Sequence, residues 1–243
     1  MQATDEAITT ETCDGATPRV RALVPSYNAG PHLWRVAQAL CAQGTEVLVV
    51  DDGSTDGSIA PLGALPVEVE TLPRNRGKGH AILAGLRAAL ADPTLDAVVV
   101  LDADGQHEPR ALPDFVRCFR ETRADLVMGV RELGGPGVPL RSRVGNAITA
   151  QAVRLLFGVR LPDTQCGYRL LSRAFMEEVV ARVPGGRYDT EMEMLVRALR
   201  GPWRVETVSI ATLYEAGNPT SHFRKVSDSL SIYGRLLRAW WRR

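Results

Sequence analysis

Short apolar runs that end in carboxylates recur along the chain, and this alternation constrains the fold more than any other feature. Residues 46–50 (EVLVV) lead into Asp51 and Asp52, and residues 97–101 (AVVVL) lead into Asp102 and Asp104. Runs of about five β-branched residues are too short for buried helices and suit strands covered on both faces. Segments with helical spacing lie around them, at 32–43 and in the Ala-rich stretch 79–91. Strand and helix in repetition predict βαβ units, hence a mostly parallel sheet flanked by helices in one α/β domain. Further strands are expected at 20–24, 67–72, 125–128, 167–171 and 205–213, and further helices at 109–122, 141–157, 174–182, 191–200 and 225–241. Residues 134–139 (GGPGVP) contain too many breakers to be anything but a loop.

With 243 residues and 45% hydrophobic content, the chain can bury the core of one large α/β domain, and it has no internal repeat or low-complexity linker. A net charge of +1 argues against a nucleic-acid partner. That near-zero total hides an asymmetry. Residues 1–18 carry Asp5, Glu6, Glu11 and Asp14 with no Lys or Arg, and read as a flexible tail before order begins at Arg19. Residues 220–243 set six basic residues against Asp228 alone. Cys13, Cys41, Cys118 and Cys166 are scattered, without zinc-ligand spacing, as expected of reduced thiols in a cytoplasmic protein. Neither a signal-peptide pattern nor an apolar run of ~18 residues is present, so the expectation is a soluble or peripheral protein.

Ligands of open parallel sheets bind at the carboxyl ends of the strands. Three such ends carry polar clusters: Pro25-Ser26-Tyr27-Asn28, the run from Asp51 and Asp52 to Gly57, and Asp102-Ala103-Asp104-Gly105-Gln106-His107. Asp102 and Asp104, one residue apart, repel each other unless a cation lies between them. Mg2+ or Mn2+ suits that pair, with Gln106 offering a further oxygen, and could bridge to substrate phosphates. The alternative is a solvated Asp-x-Asp-Gly turn. Asp51 and Asp52 could accept hydrogen bonds from a base or a ribose; the alternative is an Asx turn, with Asp56 capping residues from Gly57 onward. The basic loop 74–79 (RNRGKG) can hold phosphate through backbone N–H groups and Lys78, but lacks P-loop spacing. No Gly-x-Gly-x-x-Gly follows the first strand, which argues against a dehydrogenase.

Taken together, VPSYN, VVDDGSTDGS, RGKG, LDADGQHEP, GVR, TQCGYRLLSR and YDTEMEM resemble the inverting family 2 glycosyltransferases of the GT-A fold, and within them the dolichol-phosphate mannosyltransferase-like subgroup. The likeness runs from about residue 19 to about residue 233, which marks the expected catalytic domain, with a basic and aromatic helix continuing to residue 243. The resemblance implies transfer of a sugar from a nucleoside-diphosphate sugar. It implies a metal site at Asp102, Asp104 and Gln106, nucleotide contacts at Pro25, Tyr27, Asn28, Asp51, Asp52, Lys78, Asp102 and Ala103, and a phosphate- or sugar-contacting Arg131. Two departures from the subgroup are visible. Ala29 stands where Glu usually follows the Tyr-Asn pair, and Ser221-His222, then Arg224 and Lys225, replace its usual Arg and Ser-Lys arrangement.

The implied acceptor divides the chemistry. A polyprenyl phosphate is already ionised near neutral pH, whereas a saccharide or protein hydroxyl needs a general base. Asp189 or Glu191 could be that base; alternatively Asp189 caps a helix whose first turn holds Glu191. For a phosphate acceptor, Arg131, Arg141, Arg143, His222 and Arg224 are the anion-binding candidates, and the alternative for Arg141 and Arg143 is a solvated helix face. Gly167 permits close backbone approach on the acceptor side, and Cys166 is not expected to act as a nucleophile. Leu236, Leu237, Trp240 and Trp241 beside Arg235, Arg238, Arg242 and Arg243 suit contact with an anionic cytoplasmic membrane face, or packing against the catalytic domain. An inactive nucleotide-binding scaffold is the reading outside enzyme chemistry, and the intact carboxylates argue against it.

Overall fold

A computed structural model describes residues 17–132, 140–186 and 189–211. His222, Arg224, the expected helix 225–241, the loop 134–139 and the tail up to residue 16 lie outside the described residues, as does the side chain of Arg141.

Seven strands build the central sheet: β1 (Val20–Ser26), β2 (Glu46–Asp51), β3 (Val67–Thr71), β4 (Ala97–Val100), β5 (Leu126–Arg131), β6 (Arg169–Ser172) and β7 (Val205–Ile210). Their order is β3-β2-β1-β4-β6-β5-β7. Every pairing is parallel except those of β6, which runs antiparallel to both β4 and β5. The helices are α1 (Pro31–Cys41), α2 (Lys78–Leu90), α3 (Leu112–Thr122), α4 (Leu140–Phe157), α5 (Arg173–Arg182) and α6 (Asp189–Arg200).

Successive strand side chains point to opposite faces, so an unbroken apolar strand feeds two cores at once. In β1, Leu23 joins Ile82 and Leu86 of α2, Phe175 of α5 and Leu195 of α6 on one face. Its neighbours Ala22 and Val24 join Leu33 and Leu40 of α1 and Phe115 of α3 on the other. Both layers are closed, which is why EVLVV and AVVVL show no alternation.

The reversed β6 matters for the site. Because Val100 pairs with Arg169, the chain entering β6 arrives at the carboxyl end of β4, where Gly167 meets Asp102. Arg169 is 2% exposed and donates to three backbone carbonyls, those of Cys166 (2.9 Å), Glu191 (2.5 Å) and Thr164 (3.2 Å). It thereby ties the entry to β6 onto the first turn of α6.

Candidate active site

The loops that follow β1 and β2 form one hydrogen-bonded unit. Asn28, in the left-handed region at φ 49°, accepts from the Thr55 amide at 2.8 Å while its own amide donates to Ser54 Oγ at 2.9 Å. Asp51 accepts from the Ser54 amide at 2.8 Å. Asp56 bonds the amide and hydroxyl of Ser58 (3.0 and 2.6 Å) and also the Gly30 amide at 2.9 Å. It closes a turn and ties it to the start of α1, and the first helical residues after it are a 3-10 turn at Ala60–Ala64. Pro25 is buried, and Tyr27 and Asn28 are half-buried.

Asp52 shapes the next loop. Its two oxygens accept from the amides of Arg76 (2.8 Å) and Gly77 (2.7 Å), which fixes the basic loop where α2 begins. Gly53 permits that approach: with φ at +78°, a Cβ there would stand 3.0 Å from the backbone of Arg74 and Asn75. Arg76 and Gly77 are held so that Lys78, the first residue of α2, turns inward.

Lys78 joins the third cluster. Its Nζ lies 2.5 Å from Asp102 Oδ1 and 3.0 Å from Glu191 Oε1, so one ammonium bridges the end of β4 and the first turn of α6. Burial opposes its charge, but the carboxylates of Asp102 and then Glu191 outweigh burial and hold the ammonium above its ordinary pKa. Burial likewise opposes ionisation of Asp102, and Lys78, with smaller help from His107 and Arg131, keeps that carboxyl below its ordinary value. Asp104 has no such partner among its dominant influences. Burial, reinforced by Asp102, pushes its carboxyl up to about 6, and its Oδ1 accepts from the Gln106 amide at 3.0 Å. Ala103 is buried between the two carboxylates. His107, 3.9 Å from Asp102 Oδ2, is drawn down to about 4 by burial and is neutral near pH 7.

Gly167 closes the cluster from the β6 side. A Cβ at this position would fall 2.6 Å from Asp102 Oδ2 and 3.0 Å from Lys78 Nζ, so only glycine leaves room for the ion pair. Beyond it, Arg131 at the end of β5 grips the fully buried Asp163, with Nε to Oδ2 at 2.6 Å and Nη2 to Oδ1 at 3.1 Å. Asp163 carried no pattern in the sequence that would have singled it out, and it engages the Arg131 guanidinium on two nitrogens. Burial drives the Cys166 thiol up to about 12, which leaves it unreactive.

Residues 22–180 match the sequence profile described as Glycosyl transferase family 2. The chain belongs to glycosyl transferase family 2. It is a nucleotide-sugar-dependent glycosyltransferase with the GT-A architecture. UDP-N-acetylglucosamine--dolichyl-phosphate N-acetylglucosaminyltransferase of Methanococcus voltae is 26% identical over 214 residues, covering 79% of this chain and 84% of that one. An uncharacterized protein of Methanocaldococcus jannaschii is 27% identical, covering 79% and 80%. Mannosyl-3-phosphoglycerate synthase from Rubrobacter xylanophilus superposes with a TM-score of 0.71 at 19% identity, over 93% of this chain and 76% of that one. S. aureus TarS 1–349 in complex with UDP-GlcNAc gives a TM-score of 0.56 at 17% identity; the match spans 84% of this chain but only 62% of the TarS fragment.

In this glycosyltransferase, the described residues contain no group of three or more His, Cys, Asp or Glu side chains able to hold a metal ion. The donor set at the edge is instead two carboxylates, Asp102 paired with Lys78 and Asp104 raised by burial and by the Asp102 charge. That suits a hard divalent cation of the Mg2+ type, which commonly takes one or two carboxylates and completes its shell with water and substrate phosphates. Of the other expected residues, Glu191 is 8% exposed and engaged with Lys78. Asp189, the first residue of α6, sits against Gly186, where a Cβ would come 2.5 Å from its Oδ1. Arg143 is exposed on α4. No helix among the described residues of the transferase is long and apolar enough to cross a membrane.

Proposed function

We propose that the enzyme transfers a sugar, with inversion, from a nucleoside-diphosphate sugar to a polyprenyl phosphate at the cytoplasmic membrane face. The observation that carries this reading is the Asp102–Asp104 pair at the end of β4, with Asp102 held ionised by Lys78 at 2.5 Å and Asp104 raised by burial and by the Asp102 charge. Asp102 and Asp104, with Gln106, would hold Mg2+ or Mn2+, whose chemistry when bound is to neutralise charge developing on the departing diphosphate. The residues of the chain itself provide position. The joined loops of β1 and β2, through Pro25, Tyr27, Asn28 and Asp51, offer a rigid seat for the nucleoside, and Asp52 holds the loop that leads to Lys78. Inversion needs the acceptor oxygen in line behind the anomeric carbon, and the ordered loops reduce the entropy of that alignment.

The Methanococcus voltae relative, whose name specifies dolichyl phosphate, supports a lipid-phosphate acceptor. Arg131, Arg141 and Arg143, together with His222 and Arg224, are the groups proposed to face that anion, with Asp163 setting the orientation of Arg131. A hydroxyl acceptor is the rival reading, and Asp189 would then be the better base. Glu191 would have to leave its ion pair with Lys78 before it could reach an acceptor.

A screen of nucleotide sugars with Mn2+, run with and without a polyprenyl phosphate in detergent, tests this reading. Release of nucleoside diphosphate that depends on the lipid is the expected result. Transfer to an added glycan without lipid would establish the hydroxyl acceptor in its place.

A further inference from the structure

Helix α4 packs Val153, Leu156 and Phe157 against the core and still leaves a second set of aliphatic side chains in solvent. The face turned inward carries Asn146, Thr149 and Val153, all buried. Asn146 accepts from the Thr164 amide at 2.9 Å and donates to the Pro162 carbonyl at 2.7 Å, and Thr149 and Thr164 share a hydroxyl contact of 2.7 Å. The face turned outward carries Val144, Ile148 and Leu155, which are 49%, 50% and 74% exposed, with the exposed Gln151 among them. Their spacing of four and then seven residues aligns them in one stripe of a helix with 3.6 residues per turn. Ala147 is exposed beside them, and Val159, just past the helix, is 36% exposed. A helix that already seats one apolar face on the core and exposes a second aliphatic stripe on the other side is shaped for a partner.

The charge around the stripe indicates which partner. Residues 140–162 contain Arg141, Arg143, Arg154 and Arg160 and no Asp or Glu. A second copy of this chain would bring the same all-basic face against itself, and the segment 220–243, with six basic residues against one Asp, would be repelled as well. The acidic segment 1–18 has the complementary sign, but Met1 and Ile8 are its only large aliphatic residues, too few to cover three exposed ones. An anionic lipid surface satisfies both requirements, because acyl chains accept the aliphatic stripe and headgroups accept the arginines.

We propose that α4 is an interfacial helix that docks the transferase on an anionic bilayer through Val144, Ile148 and Leu155, with Arg154 and Arg160 contacting headgroups. The helix is joined through Asn146 and Thr164 to the segment that carries Asp163, and Asp163 holds Arg131. Docking through this face therefore anchors the enzyme by an element bonded directly to its polar edge. The inference is separate from the identity of the acceptor, since it concerns vesicle binding in the absence of any donor or acceptor.

The test uses the full chain with two double variants, Ile148→Ser/Leu155→Ser and Arg154→Glu/Arg160→Glu. Each is measured by co-sedimentation with phosphatidylcholine vesicles and with vesicles of phosphatidylcholine and phosphatidylglycerol, with sedimentation velocity in parallel. Thermal melts confirm folding, which substitutions at exposed positions should not disturb. The wild type is expected to bind the anionic vesicles and not the neutral ones. Each double variant is expected to lose about tenfold or more in partitioning, since each inserted aliphatic residue and each basic residue near the surface contributes severalfold. Folded variants that sediment with anionic vesicles as the wild type does would overturn the proposal. So would a wild type that binds neither vesicle, or an apolar variant that changes only the monomer–dimer balance, which would make the stripe a self-association surface.

Discussion

Replacing Lys78 with methionine removes the one ammonium that the end of β4 shares with α6. The substituted chain keeps Asp102 and Glu191, whose side chains are only 24% and 10% exposed, without the cation that lies 2.5 and 3.0 Å from them. Breaking a buried pair by deleting one partner destabilises by roughly 3–5 kcal/mol, because the remaining charge stays desolvated. At about 2–4 °C per kcal/mol for a chain of this size, that corresponds to a melting point lower by roughly 6–20 °C. The pH dependence gives a second handle. Lys78 holds the Asp102 carboxyl below its ordinary value, so its contribution is present above the unfolded pKa and fades as pH falls through the folded one. The deficit of Lys78→Met should therefore be largest near pH 7 and shrink as the carboxylates protonate below about pH 4. Thermal melts of wild type and variant across pH, without nucleotide or metal, measure both effects. A melting point close to wild type at pH 7, or a deficit that does not change with pH, would refute the ion-pair account.

Two further perturbations probe the same edge. Asp104→Asn should be stabilising relative to wild type at pH 7.5 and neutral near pH 4 in urea denaturation, because an aspartate raised to about 6 loses its contribution to stability as pH rises through that value; a difference independent of pH would contradict the repulsion argument. Gly167→Ala should displace Asp102 or Lys78, since its Cβ would lie 2.6 Å from Asp102 Oδ2, and overpacking of this kind lowers stability by roughly 1–3 kcal/mol. Wild-type melting and wild-type affinity for Mn2+ with a nucleoside diphosphate would show that the glycine is dispensable.

The sheet was legible because both of its faces are covered, so 20–24, 46–50 and 97–101 stand out as apolar runs of strand length. Their terminal carboxylates marked the candidate edge for the same reason: charge at the end of a buried strand requires a partner. Strand direction was not legible, because nothing local to residues 169–172 distinguishes a parallel from an antiparallel neighbour. The expected strand at 167–171 begins instead at Arg169, since Gly167 is pressed against Asp102 rather than paired in the sheet. The strand expected at 125–128 continues to Arg131 because β7 supplies pairing as far as Ile210. The helix expected at 109–122 opens as a 3-10 turn over Pro109–Ala111 before α3, and the 3-10 turn at Ala60–Ala64 was hidden by its Pro and Gly. At the site, Lys78 looked like a phosphate ligand and Asp52 like a ribose ligand. What the structure shows of each is visible only in three dimensions: Lys78 neutralises Asp102 and Glu191, and Asp52 fixes the backbone of Arg76 and Gly77.

The most direct test of the central claim, that Asp102 and Asp104 form the donor site, is the rate of nucleoside-diphosphate release from a nucleotide sugar. It is measured with Mn2+ and a polyprenyl phosphate for the wild type and for Asp104→Asn after both pass the stability assay above. A loss of about a hundredfold or more in the folded variant is the predicted result, in line with several kcal/mol of transition-state charge stabilisation by a bound cation. Turnover by Asp104→Asn within a few-fold of wild type would contradict it.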